Sequence, residues 1–168
     1  MIDSKIWGPS LWYFIHTLSY NYIETYKKEY QLFFNYLKYL IPCPVCKQHY
    51  NSYILIHPLN LKTKDNFIKW CFLFHNSVNR RLDYEIITIE HSDKLYETIN
   101  NKIILKFLKI FIKKNLNNLL ICKKFLVVIL EMYPDTTIKT KFDIAKLKNA
   151  TGLAFFIELN KIYKLLEN

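Results

Sequence analysis

Cys43-Pro44-Val45-Cys46 has the residue types and spacing in this chain that most directly support chemistry. Two cysteines separated by two residues can close a tight, reducible disulfide, with one sulfur exposed to attack and the other tucked underneath. Pro42 ends the preceding helical pattern and the motif opens the next, which places the Cys43 sulfur near unpaired N–H groups at a helix N-terminus. Such a position lowers a thiol pKa and favours the nucleophilic thiolate. The same spacing serves zinc, and His49, Cys71 or His75 would complete a ligand set, so a zinc-stabilised helical binding module stands as the alternative. A thioredoxin-like setting fits less well, because it needs strands around the motif and these flanks have helical periodicity.

Two further groups have the composition of a ligand site. Trp7-Gly8-x-x-x-Trp12-x-x-x-His16 puts Trp12 and His16 one turn apart on a single helical face. A flat aromatic ring and an imidazole so placed can grip a planar heteroaromatic ligand; the plainer reading is a core Trp and a satisfied core His. Phe74-His75-Asn76-x-Val78-Asn79-Arg80-Arg81 spaces His75 and Asn79 by four and Asn76 and Asn79 by three, so imidazole and amides converge on one side. Buried amides need partners, which the ribose, ring nitrogens and pyrophosphate of a nucleotide would supply. Arg80 and Arg81 would neutralise phosphate, or solvate the helix end.

The elements that must position these groups read as helices. The chain has only 2 Gly and 5 Pro, and apolar residues recur at helical spacing along most of its length, so the fold is expected to be all-α. A first helix is expected from near Pro9, a second over about Glu29 to Leu40, a third from Cys43 toward Ile56, and a fourth over about Lys64 to Leu82, capped by Thr63 or Asp65. A further short helix follows Ser92 through Tyr96 and Ile99. Four or five helices with short links make a bundle, whose core commonly holds a cofactor. From about Asn101 the pattern changes to Lys-interrupted apolar runs, with a break at Tyr133-Pro134-Asp135 and helices around Phe142 to Leu147 and Leu153 to Leu166. Residues 1–100 are therefore set apart as the site-bearing domain and 101–168 as a helical C-terminal extension of unassigned role.

The formal charge of +10 invites a nucleic-acid partner. Only Arg80 and Arg81 of the 24 basic residues are Arg, the lysines are scattered, and no base-reading module is present, so nucleic acid is not expected as the main partner. The stretches Ile103 to Ile112 and Leu119 to Leu130 are interrupted by Lys and fall short of the ~20 residues of a membrane span, so no transmembrane segment is expected. Met1-Ile2-Asp3-Ser4 has no basic segment followed by an apolar core, and a cytoplasmic location is expected unless the protein is carried elsewhere.

W-G-x-x-x-W-x-x-x-H, then C-x-x-C, then H-N-x-V-N, on three successive predicted helices across about residues 7 to 82, resembles the signature of the Erv/ALR sulfhydryl oxidases. The compact spacing and the following Leu82 to Tyr96 segment most resemble the short oxidases of large cytoplasmic DNA viruses; carriage out of the cytoplasm would then be into a virus particle. The resemblance implies an Erv/ALR-like four-helix bundle with a short fifth helix, FAD bound at one end beside the disulfide, and a homodimer. It implies that Cys43 exchanges with the substrate and that Cys46 passes electrons to FAD, with oxygen as acceptor and hydrogen peroxide as product. Trp7, Gly8, Trp12, His16 and Tyr22 would line the flavin site, with Tyr20 and Tyr26 as neighbours of the last. Trp70, His75, Asn76, Val78, Asn79 and Arg80 would hold the adenine and ribose side. No metal is implied.

Two features depart from the family. Cellular members commonly have a structural cysteine pair after the His-Asn motif, whereas Cys71 has no partner at the required distance. Many carry a separate shuttle pair, and here only the isolated Cys122 remains. Cys71 and Cys122 are expected to be reduced core residues. The substrate then docks directly on Cys43, or another protein supplies the shuttle; a thioredoxin-like carrier or a viral structural protein would fit.

Overall fold

The structure, a computed structural model, describes residues 3–89 and 93–167. The N-terminal Met1-Ile2 and the Ser92 position lie outside those residues. All regular elements within them are helical.

Helix α1 (Ser4–Tyr20) starts one turn earlier than Pro9, because the Asp3 side chain accepts the Lys5 N–H at 2.9 Å and caps it. Pro9 lies inside the helix, where its missing N–H removes one bond. A 3-10 turn (Glu24–Tyr26) leads into α2 (Lys27–Leu40), which stops ahead of Pro42. Helix α3 (Pro44–Ile56) has Pro at its first position and Cys43 as its N-cap. Helix α4 (Lys64–Leu82) is capped by Thr63, whose hydroxyl accepts the Asn66 N–H at 3.1 Å. It ends on Asp83 at φ 55°, a left-handed position that Asp tolerates, with the Tyr84 N–H returning to the Asn79 carbonyl at 2.9 Å.

Helix α5 (Asp93–Glu97) is shorter than the sequence pattern predicts. The Tyr13 hydroxyl donates to the Thr98 carbonyl at 2.6 Å and accepts from the Asn100 N–H at 2.8 Å, and Asn100 already caps the next helix. That helix is α6 (Asn101–Lys114), followed by α7 (Leu119–Glu131), α8 (Thr136–Lys139), α9 (Ile144–Asn149) and α10 (Gly152–Glu167). Asp135 caps α8, which accounts for the break expected at Tyr133-Pro134-Asp135.

Helix α1 packs against α4, α5 and α6, while α2 packs against α3 and α7. Phe14 of α1 lies between Phe33 of α2 and Phe107 of α6, at ring-centroid distances of 5.5 and 5.1 Å, and Phe125 of α7 stacks on Phe33 at 5.3 Å. One continuous core therefore crosses the boundary drawn at residue 100. The physical reason is the apolar face of α6: Ile104, Phe107, Leu108 and Phe111 must be buried, and α1 offers the complementary face. Among the described residues no helix is long and apolar enough to cross a membrane.

Candidate active site

A cavity of about 520 Å³ opens between the first half of α1, the first half of α3 and the second half of α4. Its size falls in the range of small-molecule sites, and its wall is mostly apolar with a few convergent polar groups.

Cys43 and Cys46 are joined as a disulfide with Cα atoms 5.2 Å apart, an ordinary separation for such a bond. Cys46 lines the cavity. Cys43 does not; its sulfur accepts the Cys46 N–H at 3.2 Å, and only 7% of the residue is exposed. Cys46 is thus the sulfur on the cavity wall, while Cys43, the cysteine expected to exchange with the substrate, is the more covered of the two and sits at the helix cap.

In the same cavity as Cys46, the rings of Trp12 and His75 stack with centroids 4.0 Å apart and planes 9° from parallel. Both line the cavity. Behind them His16, fully buried, meets His75 through Nε2 and Nδ1 at 2.9 Å. Burial holds His16 well below its ordinary range, with His75 adding to the shift, and burial brings His75 down to about 4. The pair is therefore neutral near pH 7, with one ring donating and the other accepting. The buried Nδ1 of His16 has no partner. An orphaned lone pair costs less than an orphaned N–H, so His16 donates from Nε2 and His75 keeps its proton on its own Nε2.

Trp7 also lines the cavity, and its buried indole N–H has no partner. At buried Gly8, in the same wall, a side-chain carbon would meet nothing within 4 Å beyond its chain neighbours and its own helix backbone. A vacant donor, an open face and a stacked aromatic platform suit a planar heteroaromatic ligand. Lys5 and Arg81 line the same cavity and would complement phosphate oxygens. His49, also on the wall, is lowered by burial and by the charge of Arg81.

Trp7, Gly8, Trp12, His75, Val78 and Asn79 are brought to the cavity, and other expected residues are not. His16 stands behind His75. Tyr22 donates to the Leu61 carbonyl at 2.8 Å, and the Trp70 indole donates to the His57 carbonyl at 3.0 Å, both off the cavity wall. Asn76 exchanges two hydrogen bonds with Ile87, and Asn79 donates to the Glu85 carbonyl at 2.8 Å. The partners that the amides required are thus supplied by the loop after α4. Arg80 is exposed, and its neighbour Arg81 takes the wall position. Lys5 and His49 were not foreseen as wall residues. His49 follows Cys46 by three, one turn along α3, and that spacing could have signalled it.

Among the described residues no group of three or more His, Cys, Asp or Glu side chains is arranged to hold a metal ion, so nothing here supports the zinc module. Cys71 is buried and its thiol is pushed up by desolvation; burial takes Cys122 up to about 11.

The sequence matches the Erv1 / Alr family over residues 9–98. An FAD-linked sulfhydryl oxidase of African swine fever virus is 35% identical over 96 residues, covering 54% of this chain and 80% of the viral protein. A probable FAD-linked sulfhydryl oxidase of Acanthamoeba polyphaga mimivirus is 32% identical over 89 residues, covering 49% of this chain and 62% of that protein. An FAD-linked sulfhydryl oxidase of Arabidopsis thaliana is 29% identical over 90 residues, with coverage of 51% and 47%. No solved structure matches the chain. With the Cys43–Cys46 disulfide and the stacked Trp12 and His75 all inside the matched region, the chain belongs to the Erv1 / Alr family.

Proposed function

We propose that this protein is an FAD-dependent sulfhydryl oxidase that forms disulfides in protein dithiols and passes the electrons to oxygen, giving hydrogen peroxide. The observation that carries the reading is the position of the disulfide: Cys46 lines the same cavity as the stacked Trp12 and His75.

Exchange begins when a substrate thiolate attacks the Cys43 sulfur and Cys46 leaves as a thiolate. The second substrate thiolate then displaces Cys43, so the substrate departs as a disulfide and the pair is left reduced. FAD, when bound, supplies the two-electron acceptor for that dithiol and delivers the electrons to oxygen. Trp12, His75 and Val78 would hold the ring system, with Trp7 donating through its free indole N–H and Gly8 leaving room for close approach. Asn79, Lys5 and Arg81 would face the polar part. His16 would fix the ring of His75, whereas Tyr22, Trp70, Asn76 and Arg80 would act away from the cavity wall. Cys71 and Cys122 stand outside this relay, because buried thiols with raised pKa are poor nucleophiles.

The substrate is a thioredoxin-like carrier or a viral structural protein, oxidised in the cytoplasm. The reading includes a homodimer built on surface other than the faces of α1 and α2 that α6 and α7 cover. Light scattering on the purified chain tests the dimer. The test of the activity is the visible spectrum of the purified protein together with oxygen uptake on dithiothreitol. Yellow protein with turnover supports it, and colourless protein without turnover after incubation with FAD sinks it.

A further inference from the structure

We infer that the face around the Cys43–Cys46 disulfide docks an acidic, extended polypeptide segment carrying the substrate dithiol, and that the corner between α6 and α7 forms part of that surface. The inference rests on the oxidase reading of the same disulfide and adds the chemical class of what it oxidises.

The positive charge is unevenly placed. Residues 30–64 hold four lysines and residues 98–130 hold seven, and neither stretch contains an Asp or a Glu. These two stretches meet next to the redox motif. The Asn115 side-chain amide donates to the Leu40 carbonyl at 3.0 Å, three residues before Cys43, and α7 lies along α2. Lys113 and Lys114, both exposed, end α6 immediately before Asn115. Lys47 follows Cys46 and donates to the Tyr39 carbonyl at 2.8 Å, which fixes a further ammonium at this face. Lys109, further along α6, is already compensated by Glu167 at 2.6 Å.

Shape restricts the partner as well. Cys43 is only 7% exposed, so an attacking sulfur must come on a narrow segment. Tyr39 and Val45 are 61% and 55% exposed on either side of Cys43 in sequence, and they offer apolar contact to the residues flanking that sulfur. Lysine charge alone would also attract a nucleic acid. An exposed valine set between the two cysteines favours side chains over a sugar-phosphate backbone. Opposite charge on the rim would act chiefly on encounter rate and selection.

The test uses the full chain and two reduced peptides that share one central Cys-x-x-Cys, one flanked by Asp and Glu and the other by Lys. Oxygen uptake gives kcat/KM for each peptide and for dithiothreitol. Anisotropy of labelled peptides with the cysteines replaced by serine reports docking without any redox step. The acidic peptide should show kcat/KM at least about tenfold above the basic one at low salt, with the gap closing as salt screens the rim. The paired change Lys113→Glu and Lys114→Glu should lower kcat/KM for the acidic peptide about tenfold and leave dithiothreitol turnover unchanged. Equal kcat/KM and equal anisotropy for the two peptides would overturn the inference, as would unchanged handling of the acidic peptide by the paired variant. A short single-stranded oligonucleotide binding more tightly than the acidic peptide would also overturn it. Salt-sensitive binding of the acidic peptide without any dithiothreitol oxidation would leave the docking surface standing and remove the oxidase reading.

Discussion

The imidazoles of His16 and His75 are joined by a single 2.9 Å contact between α1 and α4, and both rings are held neutral by burial. Burial of these neutral rings makes folding sensitive to acid. In the unfolded chain each imidazole takes a proton near its ordinary value of about 6.5. Folded His75 resists protonation down to about 4. Between those values the unfolded state binds more protons, so stability falls as pH is lowered through this window. For His75 the loss is on the order of 3 kcal/mol across the whole window. Urea denaturation at pH 7 and pH 5 should give a lower midpoint at pH 5, and His75→Phe should narrow the difference. A midpoint that does not move in the wild-type protein would contradict the assignment of neutral rings.

Flavin retention should depend on the stacked platform and on the open face beside it. Trp12→Ala and His75→Ala are each expected to weaken FAD binding by at least about tenfold, equivalent to one lost aromatic contact of about 1.4 kcal/mol. Gly8→Leu adds bulk at a wall position where the first added carbon meets nothing within 4 Å beyond its chain neighbours and its own helix backbone, so it should lower flavin content while the far-ultraviolet spectrum is unchanged. Full flavin content in all three variants, measured against protein concentration, would displace the ligand from this cavity.

The four cysteines should separate into two groups. Cys43→Ser and Cys46→Ser are expected to abolish oxygen uptake with dithiothreitol. Cys71→Ser and Cys122→Ser should keep most of it, at a stability cost of about 1–3 kcal/mol for placing a hydroxyl in a buried site. Loss of turnover in Cys122→Ser with flavin still bound would instead make Cys122 part of an intermolecular relay.

Helices α6 and α7 should matter for the integrity of the cofactor wall. Trp7, a wall residue, packs edge-on against Phe111 of α6 at 5.9 Å, and Phe107 stacks on Phe14. Phe107→Ala is expected to cost about 3–5 kcal/mol. Truncation to residues 1–100 should lose both solubility and flavin. A soluble truncation that retains stoichiometric FAD and oxidises dithiothreitol would show that residues 101–168 are dispensable for the chemistry.

What could be read from the sequence follows a physical division. The bounds of α4 were legible because Thr63 supplies a cap and the apolar period runs unbroken to Leu82. The Cys43–Cys46 pair was legible because its spacing is local. The contact between His16 and His75 spans 59 positions and depends on how α1 meets α4, which periodicity does not encode. Whether Arg80 or Arg81 faces the cavity turns on about 100° of helix rotation, finer than an apolar pattern resolves. The amides of Asn76 and Asn79 called for partners, and the sequence offered no sign that Ile87 and Glu85 would be those partners. The apolar runs after Asn101 announced that they needed a surface, and only the packed structure identifies it as α1 and α2.

In the proposed exchange Cys43 would hold two posts at once, because the sulfur offered to the substrate is also the acceptor that secures the first turn of α3. Such an anchor would change its electronic character with every turnover of that exchange. A thiolate at that position accepts the Cys46 N–H more strongly than a disulfide sulfur does, and the partial positive charge of the helix start reinforces it. Bond cleavage at Cys43 would therefore tighten its grip on the helix, and the reduced pair would stay seated without depending on the cross-link that has just been opened.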